Sequence, residues 1–302
     1  MIAPLNQEPS SSPYQSARRD AAYRRGVLLT LLTAVTWSCS GLVWRHVEEA
    51  PVWTVIFYRS SSLFVALALV LLMRYRSRMP AACRAIGVPG VCAGICLGTG
   101  TVCFLFAVMN TTIANVSFLT AATPMVAALL GWCLLKERVR RATWISMTIA
   151  LLGVFVMVYE GIAGGGLFGN SMAMLAALCS AGYVIALRFG RRADQMPAVM
   201  LGGFVAFFVA VFFVEEFDIS MNDYLMCATQ GVIISALCNV VFAYSARSVP
   251  AAEITFLSLL EVCLAPTLVW WVVGEEPSSL ALLGGAILLV SVIGYSVTTI
   301  RS

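Results

Sequence analysis

Ten apolar runs follow one another along the 302-residue chain, separated by short polar connections. About 20 apolar residues in a helix cross the ~30 Å of bilayer hydrocarbon. The runs fall at 27–45, 52–73, 86–108, 112–135, 142–160, 169–188, 198–214, 224–246, 251–273 and 280–299. None shows the short alternating segments of an outer-membrane barrel. The pattern predicts an all-α polytopic membrane protein of ten transmembrane helices, with no soluble domain inserted. Residues 1–25 are polar and carry Arg18, Arg19, Arg24 and Arg25. They read as a disordered cytoplasmic tail ending in a basic anchor. The run after them is span-length and lacks a small-residue cleavage site, so it is not read as a signal peptide.

Composition agrees. Sixty per cent of residues are hydrophobic and 11% are charged, against about 25% charged in a soluble domain. The net charge of +4 is not a nucleic-acid signature, because the basic residues sit in short loops between spans. The ten cysteines lie almost all inside apolar runs with no CxxC pair, which suits small buried hydrophobes. With His46 the only histidine, neither a histidine metal site nor a catalytic triad is expected, and no cofactor is implied.

The loop charges set an orientation. Besides the four arginines ahead of the first span, Arg74, Arg76, Arg78, Arg84, Lys136, Arg138, Arg140, Arg141, Arg188, Arg191, Arg192, Arg247 and Arg301 occupy alternate connections. The other connections carry Glu48, Glu49, Glu160, Glu215, Glu216, Asp218, Asp223, Glu275 and Glu276, with Arg45. By the positive-inside rule the basic side and both termini face the cytoplasm. The expected location is the inner membrane.

Shifted by 138 residues, the fourth and ninth runs align without a gap. Ala114 meets Ala252, Phe118 meets Phe256, Leu119 meets Leu257, Ala127 meets Ala265, Trp132 meets Trp270 and Glu137 meets Glu275. The same shift sets Phe104 on Phe242 and Phe106 on Tyr244. Two repeats follow, at 26–160 and 165–300. Five spans is an odd number, so the second repeat runs through the membrane in the opposite sense. Inverted repeats occur in many secondary transporters, with the solute site near the midplane between the halves.

At Trp53 and Arg59 in PVWTVIFYR, FAVMNTTIANVSFLTAATPMVAALLGWCLLKER, LLEVCLAPTLVWWVVGEEPS and LLGGAILLVSVIGY, the sequence resembles the drug/metabolite transporter superfamily, specifically its ten-helix EamA-type members. The resemblance runs over about residues 26–300. It implies a small-molecule carrier and leaves substrate and direction open. Relatives of this kind often place proline directly after the mid-span glutamate, where this chain has Val262.

Ionisable residues inside a membrane are costly and usually functional. Arg59 reads either as a cation for an anionic solute group or as a structural or snorkelling arginine. Glu261 is the proton-coupling candidate, since a carboxyl in a partly dry cavity can load and release protons; its other reading is a protonated helix–helix hydrogen bond. Glu253 reads as a more exposed gate or surface residue. Pro124 and Pro266 each free a backbone carbonyl, and such carbonyls tend to line cavities. Asn115, Thr120 and Thr123, and on the later spans Asn239 and Thr255, form polar strips at helical spacing. Trp37, Phe104, Tyr183 and Tyr244 are candidate aromatic lining. Gly90, Gly94 and Gly98 form a small-residue stripe for close helix approach.

The leading expectation is a secondary carrier working by alternating access that exports amino acids or related compounds. The second is an importer of a vitamin- or nucleotide-like solute on the same fold. A membrane enzyme or receptor is disfavoured: no span-end cluster suits catalysis and no loop is long enough for a sensor. The partners implied are a small-molecule substrate and the lipid bilayer, with no nucleic acid. Oligomeric state is not legible.

Overall fold

In the computed structural model, the fourth and ninth spans are each built from two helices that meet about a third of the way along the span. Residues 13–47, 50–137, 139–159, 166–274 and 278–301 are described. The first span is α1 (Pro13–Ser38) and α2 (Ser40–Arg45), parting at Cys39. The second is α3 (Val52–Tyr75), which turns through a 3₁₀ segment into the short α4 (Met79–Ala85). The third is α5 (Gly87–Asn110), and the fourth is α6 (Ile113–Thr120) with α7 (Thr123–Leu135). Then come α8 (Arg141–Val158), α9 (Leu167–Phe189) and α10 (Met196–Val211). The eighth span runs from α11 (Met221–Thr229) through a π-helical stretch, Gln230–Leu237, into α12 (Cys238–Ser245). The ninth is α13 (Ala251–Ser258) with α14 (Leu260–Val273), and the tenth is α15 (Ser279–Arg301). No strand occurs among the described residues. Eight segments are long and apolar enough to cross a membrane, and α10 is a shorter apolar helix. The first span, headed by its basic turns, makes the tenth.

The 138-residue shift is visible in the backbone itself. α6 and α13 begin at Ile113 and Ala251 and end at Thr120 and Ser258, each pair 138 apart. α7 and α14 end at Leu135 and Val273, and the next residues, Lys136 (φ 56°) and Gly274 (φ 81°), are both left-handed caps. Packing repeats in the same way. α5 lies on α9 as α12 lies on α1, and α5 lies on α10 as the π stretch lies on α3. The pairs α3·α10, α8·α15 and α7·α13 each join equivalent spans of the two halves. This is the two-fold arrangement of an inverted repeat. The glycine stripe works where α5 crosses α10: a Cβ on Gly98 would stand 2.7 Å from the Gly202 carbonyl oxygen.

Two expectations need correction. Residues 13–25, expected to belong to a disordered tail, continue α1 as helix; residues 1–12 lie outside the described residues. Pro124 does not kink a helix interior. It occupies the first turn of α7, where a missing amide costs nothing because that amide has no intrahelical partner anyway. Pro266 does lie inside α14, yet the ninth span parts earlier, at Leu259. In the 138-residue register Pro124 faces Val262, so the two prolines are not equivalents.

Candidate substrate site

The break at Leu259 puts Glu261 in the first turn of α14. Its repeat counterpart is Thr123, in the first turn of α7. Free amides and the helix dipole at such a turn favour a carboxylate. Glu261 is half-buried, and its carboxyl makes no hydrogen bond or ion pair among the described residues. It lies within electrostatic reach of Cys238, where the π stretch gives way to α12.

Across the eighth span stands Arg59, also half-buried. Its Nε donates to Ser235 Oγ at 3.1 Å. The remaining guanidinium nitrogens have no hydrogen-bond or ion-pair partner among the described residues. α3 reaches the π stretch closely because Gly231 has no side chain: a Cβ there would sit 2.3 Å from the Arg59 carbonyl oxygen. π-helical turns often mark functional sites, since their shifted ladder re-aims main-chain carbonyls. Here the Ile234 carbonyl accepts the indole N–H of Trp37 at 3.0 Å. Trp37 packs on Phe242 (centroids 5.4 Å apart), and Phe242 stacks on Tyr183 (6.2 Å). The Tyr183 hydroxyl is buried with no hydrogen-bond partner among the described residues.

Trp37, Arg59, Tyr183, Asn239 and Glu261 are thus gathered around the π stretch and its flanks. Asn239 donates its amide to the Ser235 carbonyl at 2.8 Å. Thr120, Thr123 and Thr255 donate to carbonyls of their own helices at 2.7, 2.6 and 2.8 Å. That leaves them only acceptor capacity for a solute. Asn115 belongs elsewhere, bonded to Thr111 and Asn170 at the acidic end of the bundle. Phe104 is exposed on α5. Tyr244 stands at the basic rim with Arg25 and Arg247 over its ring, 5.6 and 5.3 Å from the centroid.

Sequence reasoning missed a polar seal at the basic end. Arg188, at the end of α9, is 8% exposed. Its Nε donates to Glu137 Oε1 at 2.6 Å, and Nη1 donates to the Ala246 and Val249 carbonyls at 2.9 and 2.5 Å. The other Glu137 oxygen accepts the Ala251 amide, the first of α13, at 3.3 Å. Glu253 is buried, not surface-exposed, and takes a hydrogen bond from Tyr23 Oη on α1. On the same side Tyr75 donates to Asp194 at 2.7 Å. Arg188 had the look of one loop charge among many. The signal that could have found it is its position before the last turn of an apolar run, opposite Glu137. Recesses of about 330 and 200 Å³ flank this seal. Residues Ala251–Leu257 of α13 are all buried, and α13 packs on α7, α1 and α9. At the other end Ser117–Thr120 of α6 are half-buried, and no comparable packing joins α6 to α14 among the described residues. No group of metal-ligating side chains occurs among the described residues.

Comparison with known proteins agrees with this architecture. The model of the EamA-like transporter family matches twice, over residues 24–159 and 167–297. The chain is 25% identical over 285 residues to the pseudopaline exporter CntI of Pseudomonas aeruginosa, covering 91% of this chain and 97% of that protein. It is 28% identical over 131 residues to the uncharacterized transporter YetK of Bacillus subtilis, 41% of this chain and 39% of that one. A solved crystal structure superposes with a TM-score of 0.76 at 16% identity, covering 91% of this chain and 98% of the other, and shares the fold. With its inverted five-helix repeats and two family matches, the chain belongs to the EamA-like transporter family, whose members are transporters and not enzymes.

Proposed function

We propose that this protein is a secondary carrier that exports small organic metabolites, amino acids or related compounds, by alternating access. The observation that carries the reading is the one-sided seal. Glu137 and Arg188 bind spans of both repeats together at the basic end, while among the described residues no comparable packing joins α6 to α14 at the acidic end. An alternating-access carrier needs two such ends that close in turn around a fixed midplane site. The distribution of Lys and Arg supports a cytoplasmic basic end in an inner membrane, so this conformation is read as open to the outside. Export is supported by likeness along 91% of the chain to an exporter.

The test is efflux from proteoliposomes holding the full chain and loaded with amino acids, vitamins and nucleotides. Efflux of amino-acid-like solutes down their gradient, absent from empty liposomes, supports the reading. Transport confined to vitamin- or nucleotide-like solutes favours the importer. No transport of any solute contradicts the carrier reading.

A further inference from the structure

We propose that the basic end carries a binding site for one anionic phospholipid, formed where α1 meets α12 by Arg25, Tyr244 and Arg247. It does not involve the solute site.

α1 packs on α12, and the Tyr244 ring is exposed. The guanidiniums of Arg25 and Arg247 lie over that ring, 5.6 and 5.3 Å from its centroid. Like charges so placed repel one another, and a carboxylate would be the ordinary remedy. Neither arginine has an ion-pair partner among the described residues. Arg247 donates through Nη2 to the Ala193 carbonyl at 3.0 Å. Its Nε is buried with no hydrogen-bond partner among the described residues. Asp194, the next residue after that carbonyl, is already engaged. Its carboxylate takes the Tyr75 hydroxyl at 2.7 Å, the Met196 amide at 3.1 Å and Arg74 Nη1 at 3.4 Å. An anion from outside the chain is what the two arginines lack, and guanidinium N–H groups match phosphate oxygens.

The surface leading away from the arginines marks that anion as a lipid. Arg25, Leu28, Leu32 and Val35 are three or four residues apart, so they share one face of α1. All four are exposed. Val35 is ten residues beyond Arg25 (35 − 25), about 15 Å deeper at 1.5 Å per residue. On the neighbouring span Leu237 and Tyr244, two turns apart, are exposed as well. Charge at the membrane edge with apolar surface descending from it is the layout of a phospholipid. A tyrosine, with an apolar ring and a polar tip, suits the level where headgroups meet acyl chains. A headgroup that also carried an ammonium would set that cation among arginines, with Asp194 already engaged. The site therefore selects a net-negative lipid. Bound there, the lipid ties the first span of one repeat to the eighth span of the other.

The test is the thermal stability of the full-length protein in mixed micelles. The probes are phosphatidylglycerol, phosphatidylethanolamine of the same chain length, and glycerol phosphate, which lacks the chains. A ligand of the folded state raises Tm by mass action. Phosphatidylglycerol is expected to raise Tm saturably, and the other two are not. Arg25→Gln and Arg247→Gln are each expected to weaken phosphatidylglycerol binding about fivefold, the ordinary effect of one basic residue near an anionic lipid surface. Arg84→Gln, at an exposed basic position of α4 on the same end, is expected to leave it unchanged. Arg25 is exposed, and its only side-chain partner among the described residues is the Tyr244 ring. Arg25→Gln therefore decides the matter if Arg247→Gln does not fold. The proposal is overturned if the two lipids raise Tm equally, or if phosphatidylglycerol does not raise it. It is also overturned if Arg84→Gln weakens binding as much as Arg25→Gln, the mark of diffuse attraction to the basic rim. Glycerol phosphate as effective as phosphatidylglycerol would assign the arginines to a free anion and overturn it too.

Discussion

Glu137 Oε1 accepts Arg188 Nε at 2.6 Å while Glu137 Oε2 accepts the Ala251 amide at 3.3 Å. One carboxylate thereby ties the ends of α7 and α9 to the start of α13.

Removing one partner of a mostly buried ion pair costs about 3–5 kcal/mol. Glu137 is partly exposed, which puts Glu137→Gln near the lower figure. That loss falls only on the conformation with the basic end closed. A change of about 3 kcal/mol is roughly a hundredfold in equilibrium. In a cysteine-free background, Ala251→Cys is therefore expected to react with a thiol reagent far faster from the basic side once Glu137→Gln is added. Equal labelling with and without Glu137→Gln would show that the pair does not hold the end shut.

Gly231→Ala is expected to destabilise the protein by about 1–3 kcal/mol, the usual cost of overpacking, because its Cβ would enter the Arg59 carbonyl at 2.3 Å. Gly274→Ala is the informative comparison. It meets nothing within 4 Å and suffers only from its positive φ of 81°, a strain of about 1–2 kcal/mol. Both lower Tm, but only Gly231→Ala should weaken solute binding. Equal effects on binding would separate the π stretch from the site.

How much of this was legible beforehand depends on which signals a sequence carries. The spans, the alternation of basic and acidic loops and the 138-residue register all rest on composition and spacing, and the backbone repeats that register at Thr120 and Ser258. The break before Glu261 was not legible. It falls at Leu259 in an apolar run with no glycine or proline, while Pro266 drew attention seven residues later. The π stretch 230–237 is equally silent, because one extra residue per turn leaves no mark in an apolar sequence. Glu253 looked exposed from its place near a span end. Its burial depends on Tyr23, from a segment that polarity alone assigned to a tail.

Trp37→Phe should keep the ring packing on Phe242 and lose only the hydrogen bond to the Ile234 carbonyl. A net loss of about 1 kcal/mol is the ordinary value for one hydrogen bond, read as a lowered Tm. A much larger loss would mean that the indole holds the π stretch in place, and no loss would mean that the carbonyl finds another donor.

Glu261→Gln tests proton coupling. If the carboxyl carries the proton, gradient-driven accumulation in proteoliposomes should vanish while solute counterflow continues. Undiminished uphill transport by Glu261→Gln would remove Glu261 from the coupling role.

Alternation of the two ends is tested most directly by locking the basic end. A Cβ on Gly131 would lie 3.9 Å from the Ala251 Cβ, within the range that a disulfide bridges without moving the backbone. With the ten native cysteines replaced, Gly131→Cys with Ala251→Cys should form that bond under mild oxidation. The oxidised protein is expected to bind solute from the acidic side and transport none, with flux restored by reduction. Flux at the reduced rate in the fully oxidised protein would contradict an alternating-access carrier whose basic end must open.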